Sequence, residues 1–211
     1  MRGSNLPSIA PCPIVSGMSS SNRRPTRDLD AAFHKAKKSR RNRVETANSL
    51  EAFLDRIRIS RLTPEDRLPA RELVERYVRS LEIDLSFQEI GSELEDFPSK
   101  YSEPQGAFLL AKDGDVIVGC VGLKRLDDET CEMKRLYVAD SHKGKGIGKR
   151  LVGAIIAEAI GKSYKKMRLD TLEDMHAAQS LYRGFGFHCI SAYVYNPIKG
   201  AIFMEKNLDG N

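Results

Sequence analysis

The chain has 211 residues, of which 41% are hydrophobic and 30% charged, with a formal net charge of +5. That length allows one domain of roughly 150 residues with a proper core, plus a tail. No apolar run approaches the ~18 residues of a membrane helix, so a soluble protein is expected, and four scattered cysteines without a C-x-x-C pair suggest neither a zinc site nor a disulfide framework. Residues 1–50 hold ten Lys/Arg against three Asp/Glu, and the remaining 161 residues hold 24 against 26. The basic charge therefore belongs to the N-terminal segment, and the near-neutral remainder gives no support for a nucleic-acid partner of the folded domain.

Residues 1–45 are rich in Ser, Pro and Arg with little apolar periodicity, and read as lacking regular structure. The first 27 residues contain no acid, which is compatible with an organelle transit segment. The run Lys35-Ala-Lys37-Lys38-Ser-Arg40-Arg41-Asn-Arg43 reads equally as a nuclear-import patch or a solvated linker. Cytoplasm, nucleus and, by import, an organelle all stay open.

A short strand is expected near Arg58–Leu62, followed by the helix entry Thr63-Pro64-Glu65-Asp66, with a capping hydroxyl, Pro at the first position and acids in the first turn. Leu73, Val74, Tyr77, Val78 and Leu81 recur at helical spacing, and a second, acidic helical stretch lies near Phe87–Phe97. Phe108–Ala111 and Val116–Val121 flank Asp113-Gly114, a hairpin signal. A β-branched and aromatic run ends at Val138, and Leu151, Val152, Ile155, Ile156, Ala159 and Ile160 form a helix stripe. A strand over Lys166–Thr171, a helix over Met175–Arg183 and strands over Phe187–Tyr195 and Ala201–Leu208 complete the chain. Cys120, Cys131 and Cys189 fall in strand patterns and read as small buried hydrophobes.

The most informative segment joins the strand ending at Val138 to the following helix through Lys143-Gly144-Lys145-Gly146-Ile147-Gly148-Lys149-Arg150. Glycines that let the backbone approach, free N–H groups at a helix start and four added cations make an anion site for a phosphorylated ligand. A Walker loop would need Gly at 143 and Ser or Thr at 150, which are Lys and Arg. A dinucleotide fingerprint would need Gly at 149, which is Lys.

The pattern [Gln/Arg]-x-x-Gly-x-[Gly/Ala] does fit, with Lys143 first, Gly146 fourth and Gly148 sixth. The segment resembles the acyl-CoA pyrophosphate loop of the GNAT N-acetyltransferase superfamily, with Lys143 where Gln or Arg is usual. Ala178-x-x-Leu181-Tyr182-x-x-Phe185-Gly186-Phe187 resembles the second signature of that family, with Met175 in place of its usual Asn. Tyr195-Asn196-Pro197 and Gly200–Glu205 resemble the closing hairpin of its small members. The resemblance runs from about Arg58 to Leu208.

What it implies is an α+β fold, a mixed, mostly antiparallel twisted sheet flanked by helices in the order β-α-α-β-β-β-α-β-α-β-β. Residues 46–211 would be the N-acetyltransferase domain and residues 1–45 a basic N-terminal segment. Acetyl-CoA would be the acyl donor, held by Lys143, Gly144, Lys145, Gly146, Ile147, Gly148 and Lys149, with Leu136, Tyr137 and Val138 supplying backbone to the pantetheine arm and thioester carbonyl. Glu132, eleven positions before Lys143, has the offset of the general base in histone-acetylating members; an acid paired with Lys134 on the same strand face is the simpler structural alternative. Tyr182 would protonate the departing sulfur, its alternative being a packed core tyrosine. No metal is implied, and no cysteine stands where a covalent acyl-enzyme would form, so direct amine attack is expected. The acceptor is a primary amine of a small molecule; a protein lysine or N-terminus, or a non-catalytic acyl-CoA-binding module, are the alternatives. A homodimer and no membrane partner complete these expectations.

Overall fold

In the computed structural model the described residues are 27–81, 83 and 90–209, and the chain divides after Glu45 into two units. Most of the acid-free N-terminal segment and the start of the acidic helical stretch lie outside the described residues.

Helix α1 covers Arg27–Arg56. The sequence predicts no regular structure for residues 27–45, but Ala, Lys, Arg and Glu are strong helix formers, and Arg41 Nε donates to Glu45 Oε1 one turn later at 2.8 Å. Strand β1 (Ile57–Arg61) leads through a 3-10 turn at Pro64–Asp66 into α2 (Arg67–Ser80), and α3 (Ile90–Glu95) follows. At the entry to α2, the Thr63 hydroxyl donates to Asp66 Oδ2 at 3.0 Å. Strands β2 (Ala107–Asp113), β3 (Val116–Arg125) and β4 (Thr130–Val138) form a meander. Its first turn is the predicted Asp113-Gly114, with Gly114 at φ +61. Helix α4 (Ile147–Gly161), β5 (Lys166–Leu172), α5 (His176–Gly184), β6 (His188–Ile190) and β7 (Ala201–Asn207) complete the order.

The seven strands form one sheet, β1-β2-β3-β4-β5-β7-β6, in which only β4 and β5 run parallel. One face packs Leu109, Val121, Met167, Leu169 and Met204 against Leu151 and Ile155 of α4. The other packs Phe108, Leu110 and Cys120 against Leu73 and Val74 of α2 and against Phe97. Alternation on β5 places Met167 and Leu169 in the first core and turns Arg168 and Asp170 to the opposite side.

Two irregularities open the middle of the sheet. Between Cys120 and Gly122 the β3–β4 register slips, so that Arg135 and Leu136 have no partner residue on β3, and Arg135 takes φ +56. This is a β-bulge, which bends β4 locally. Parallel pairing of β4 with β5 then stops after Thr130, Cys131 and Glu132, and the strands part beyond that point. Gly122 leaves room for the Tyr101 ring beside the bulge: a Cβ there would lie 2.6 Å from Tyr101 Cε1.

The closing hairpin departs from the sequence reading. A single strand over Phe187–Tyr195 is predicted, yet β6 ends at Ile190 and residues 191–200 are irregular. Pro197 lacks the donor a strand needs, and Asn196 Oδ1 accepts the Ile198 N–H at 3.0 Å, a local turn that competes with the ladder. Cys120 and Cys131 are buried as expected, and burial pushes each thiol up to about 12. Cys189 is exposed on the short edge strand instead.

Candidate active site

The donor loop is built as its glycines require. Gly144 and Gly146 take φ +75 and +85, a region L side chains avoid, and Gly146 is the N-cap of α4. The N–H groups of Ile147, Gly148 and Lys149 follow at the first turn, where intrahelical acceptors do not exist. Nothing lies within 4 Å of a Cβ built at Gly144. The free N–H groups and the open space at Gly144 suit an anionic group. Lys143 Nζ pairs with Asp140 Oδ1 at 2.6 Å, Lys145 Nζ donates to Ser141 O at 2.9 Å, and Lys149 is exposed. Arg150, read from sequence as a further cation for the ligand, donates instead to the carbonyl of Leu54. The last turn of α1 supports this loop from behind: Phe53 lies 4.7 Å from Lys145 Nζ, and Leu54 Cδ1 is 3.7 Å from where a Gly146 Cβ would stand. Both residues fall inside the expected 46–211 domain but before Arg58, where the resemblance begins, and the sequence reading gave them no part in the loop.

Where β4 and β5 part, a cleft opens. Met133, Lys134, Arg135 and Leu136 line one wall, Asp170, Thr171 and Leu172 the other, and Tyr77, Tyr182 and Asn196 also face it. Tyr137 stacks on Tyr77 with ring centroids 5.1 Å apart, and Val138 pairs with Gly119 on β3. Of the three β4 residues expected to meet the donor, Leu136 lines the cleft directly.

Glu132 sits one step deeper. It is the last β4 residue paired with β5, is 3% exposed, and is not in the cleft lining. Its Oε1 accepts the Tyr193 hydroxyl at 2.7 Å and lies 3.7 Å from Lys134 Nζ, while Lys124 Nζ is 3.9 Å from Oε2. The expected pairing with Lys134 is present, but Lys134 is shared, with Nζ 3.2 Å from Asp170 Oδ1. Asn196 Nδ2 donates to Asp170 Oδ2 at 2.9 Å. Burial and the Glu132 charge push the Tyr193 phenol far up, so it remains a donor. Its ring is held between Phe203, at 5.5 Å, and the Arg168 guanidinium, at 5.3 Å.

Tyr182 lies on α5, 7% exposed, against Phe187 with centroids 6.0 Å apart. Burial, helped by Tyr77 and Asp170, pushes its hydroxyl well above the ordinary phenol range. It is thus packed in the core and also faces the cleft as a protonated phenol. His142 stands beside the loop with Nε2 3.6 Å from Asp113 Oδ2, and His176 is exposed. Among the described residues no group of three or more His, Cys, Asp or Glu is placed to hold a metal ion, and no helix is long and apolar enough to cross a membrane.

Asp170 carries no motif, and a lone acid in an alternating strand looks like any solvent-facing residue; sequence reasoning passed over it. Its one signal was its place two residues beyond Arg168, the last β5 position paired with β4, which only the register reveals.

Comparison with known proteins agrees with this geometry. The model of the Acetyltransferase (GNAT) family matches residues 70–187. An uncharacterised N-acetyltransferase of Schizosaccharomyces pombe is 36% identical over 144 residues, 67% of this chain and 88% of that protein. N-acetylaspartate synthetase of Danio rerio is 33% identical over 116 residues, 53% of this chain and 41% of that protein. A GNAT-family acetyltransferase structure from Staphylococcus aureus covers 72% of this chain and 99% of its own, with 25% identity and a TM-score of 0.61. The chain belongs to the GNAT family of N-acetyltransferases, and acetyl-CoA is the donor its family and its loop fit.

Proposed function

We propose that this enzyme moves an acetyl group from acetyl-CoA to the primary amine of a small molecule by direct attack. The observation that carries the reading is the cleft at the β4–β5 divergence, which opens beside the bulge and is faced by Leu136, Tyr182 and the Lys134–Asp170 pair.

The anionic arm of the donor rests on the segment Lys143–Lys149, where backbone N–H groups and the helix dipole favour negative charge. The bulge releases Leu136 from the β3 ladder, so its backbone, with Tyr137 and Val138, can meet the pantetheine and the thioester carbonyl. Donors aimed at that oxygen act where charge develops in the transition state. The acceptor arrives as an ammonium with a pKa near 10 and must lose a proton to the carboxylate network to which Glu132 belongs. Tyr182, kept protonated, supplies a proton to the leaving sulfur.

A small acceptor is favoured because Asp170 lines the cleft at only 11% exposure, with Asn196 on one of its oxygens. One relative is named N-acetylaspartate synthetase, a name that points to a small acetylated product and accords with that size. The test is CoA release from acetyl-CoA by the full chain with panels of small amines and of Lys-containing and N-terminal peptides. Turnover confined to small amines is expected; turnover only on peptides would make this a protein acetyltransferase.

A further inference from the structure

We infer that Asp170 is the catalytic residue that receives the acceptor's ammonium and takes its proton, with Glu132 positioning it through Lys134. This deepens the reading above and rests on it.

The register fixes who can touch the acceptor. Glu132 pairs with Arg168 where the strands still hold together, so it lies at the closed end of the wedge. Continuing the same offset puts Lys134 opposite Asp170, where the wedge is open, and the two side chains meet at 3.2 Å. Tyr193 caps the Glu132 carboxylate with a 2.7 Å hydrogen bond and holds it out of the cleft. Asp170 lines the cleft together with Tyr182, so proton acceptor and proton donor face one space. An amine entering beside Leu136 meets Asp170 first.

Lys134 gives the arrangement its chemistry. Its ammonium bridges Glu132, at 3.7 Å, and Asp170, at 3.2 Å, and so links the two carboxylates across the wedge. A second ammonium brought in beside Lys134 meets a like charge, which lowers its own affinity for the proton. Asn196 Nδ2 donates to the second oxygen of Asp170 at 2.9 Å and so orients the carboxylate. The other titratable and charged groups around this pair are Arg135 on β4, Arg168 on β5, Tyr77 on α2, Tyr182 on α5 and Tyr193 in the irregular segment.

The step balances as follows. One ammonium proton passes to the Asp170 carboxylate and from there to solvent. The freed lone pair forms the C–N bond at the thioester carbon, and the C–S bond breaks as the tetrahedral centre collapses. Tyr182 gives its phenolic proton to the thiolate and recovers one from the nitrogen, which ends as a neutral amide.

Asp170→Asn and Glu132→Gln, made in the full chain, separate the two carboxylates. The first is expected to lower kcat about 100-fold or more, in the usual range for removing a general base. The residual rate should lose the acidic limb that a carboxylate base sets and rise instead with the acceptor amine's own ionisation, so amines of lower pKa recover most. Glu132→Gln should cost about tenfold and keep the acidic limb, because Asp170 still takes the proton. Isothermal calorimetry with CoA checks that both variants keep the donor site, and Asp170→Glu should recover part of the rate if a carboxylate is what matters. Asp170→Asn within threefold of the parent, or loss of the acidic limb only in Glu132→Gln, would overturn the assignment. A parent chain that turns over no amine at all would instead remove the acetyl-transfer reading, and this assignment with it.

Discussion

The Arg135 guanidinium of β4 donates to both carboxylate oxygens of Glu93 on α3, Nε to Oε1 at 2.8 Å and Nη2 to Oε2 at 2.9 Å, with both side chains only 4% exposed. Arg135 is also the bulge residue with positive φ, so this pair ties the distortion beside the cleft to helix α3. Tyr101 completes the cluster, donating to Glu93 Oε1 at 2.8 Å while its ring fills the space over Gly122. Removing one member of a buried pair strands the other charge, at a cost of about 3–5 kcal/mol. Glu93→Gln keeps the shape and removes the charge. It should lower the melting temperature by roughly 6–20 °C in a chain of this size. A change under 2 °C would show that the pair holds shape without contributing stability.

The same cluster sets how stability depends on pH. Burial alone would raise the Glu93 carboxyl, but Arg135 and the Tyr101 hydroxyl outweigh it and hold the group below the usual carboxylate range. A depressed folded value means the contribution is present above the unfolded value near 4.3 and is lost as pH falls through the folded one. On the alkaline side the sign reverses. Burial raises Tyr101, and likewise Tyr77 (to about 12), Tyr182 and Tyr193. Their contribution is complete below the unfolded phenol value near 10 and declines as pH rises beyond it. Urea midpoints measured from pH 3 to 11 should fall at both ends. In Glu93→Gln the acid limb should flatten, and in Tyr101→Phe the alkaline one; unchanged limbs would mean other groups govern both.

How much of this was legible in the sequence depended on whether a residue's role is local. Leu151, Val152, Ile155, Ile156 and Ala159 announce α4 by their spacing and are all buried in it. Gly146, by its place in the glycine pattern, announces a positive φ at the start of α4. The place of Tyr182 on α5, facing the cleft, was legible because a helix and a Gly-Phe strand start surround it. Asp170 and Arg135 were not, because their roles come from a register that stops at Glu132 and a bulge that skips Leu136. No local preference records either event. Tyr193 falls in the strand predicted over Phe187–Tyr195 and Asn196 in the closing hairpin after it, but both lie in irregular backbone and reach the carboxylates, beside a local turn made by the Asn196 side chain. The helix at residues 27–45 was missed for the opposite reason: with few apolar residues it shows no buried stripe, though its propensity is high.

Tyr182→Phe addresses the departing sulfur. The ring packs against Phe187, so losing the hydroxyl should leave folding intact. A general acid is worth about 100-fold or more when removed, so kcat should fall by that order while KM for acetyl-CoA moves little. Acyl donors with better leaving groups should recover the rate. An equal loss with every donor would assign Tyr182 to packing alone.

The glycines of the donor loop make different demands, and substitution can separate them. Gly146 has φ +85, so Gly146→Ala forces a side chain into left-handed backbone at a cost of about 1–2 kcal/mol. Both the melting temperature and donor binding should suffer. Gly148 lies inside the first turn of α4, where an added Cβ would meet Leu181 Cδ2 at 3.5 Å and Val138 Cγ2 at 3.9 Å, ordinary contacts. Alanine is also the better helix former, by roughly 1 kcal/mol. Gly148→Ala should therefore melt no lower than the parent. Its methyl group nevertheless stands at the helix N-terminus where the pyrophosphate must come close, and KM for acetyl-CoA should rise about tenfold, equivalent to about 1.4 kcal/mol. A melting temperature at or above that of the parent together with a raised KM would place the phosphates on this turn. An unchanged KM would move them elsewhere on the loop, toward Gly144, where a built Cβ meets nothing.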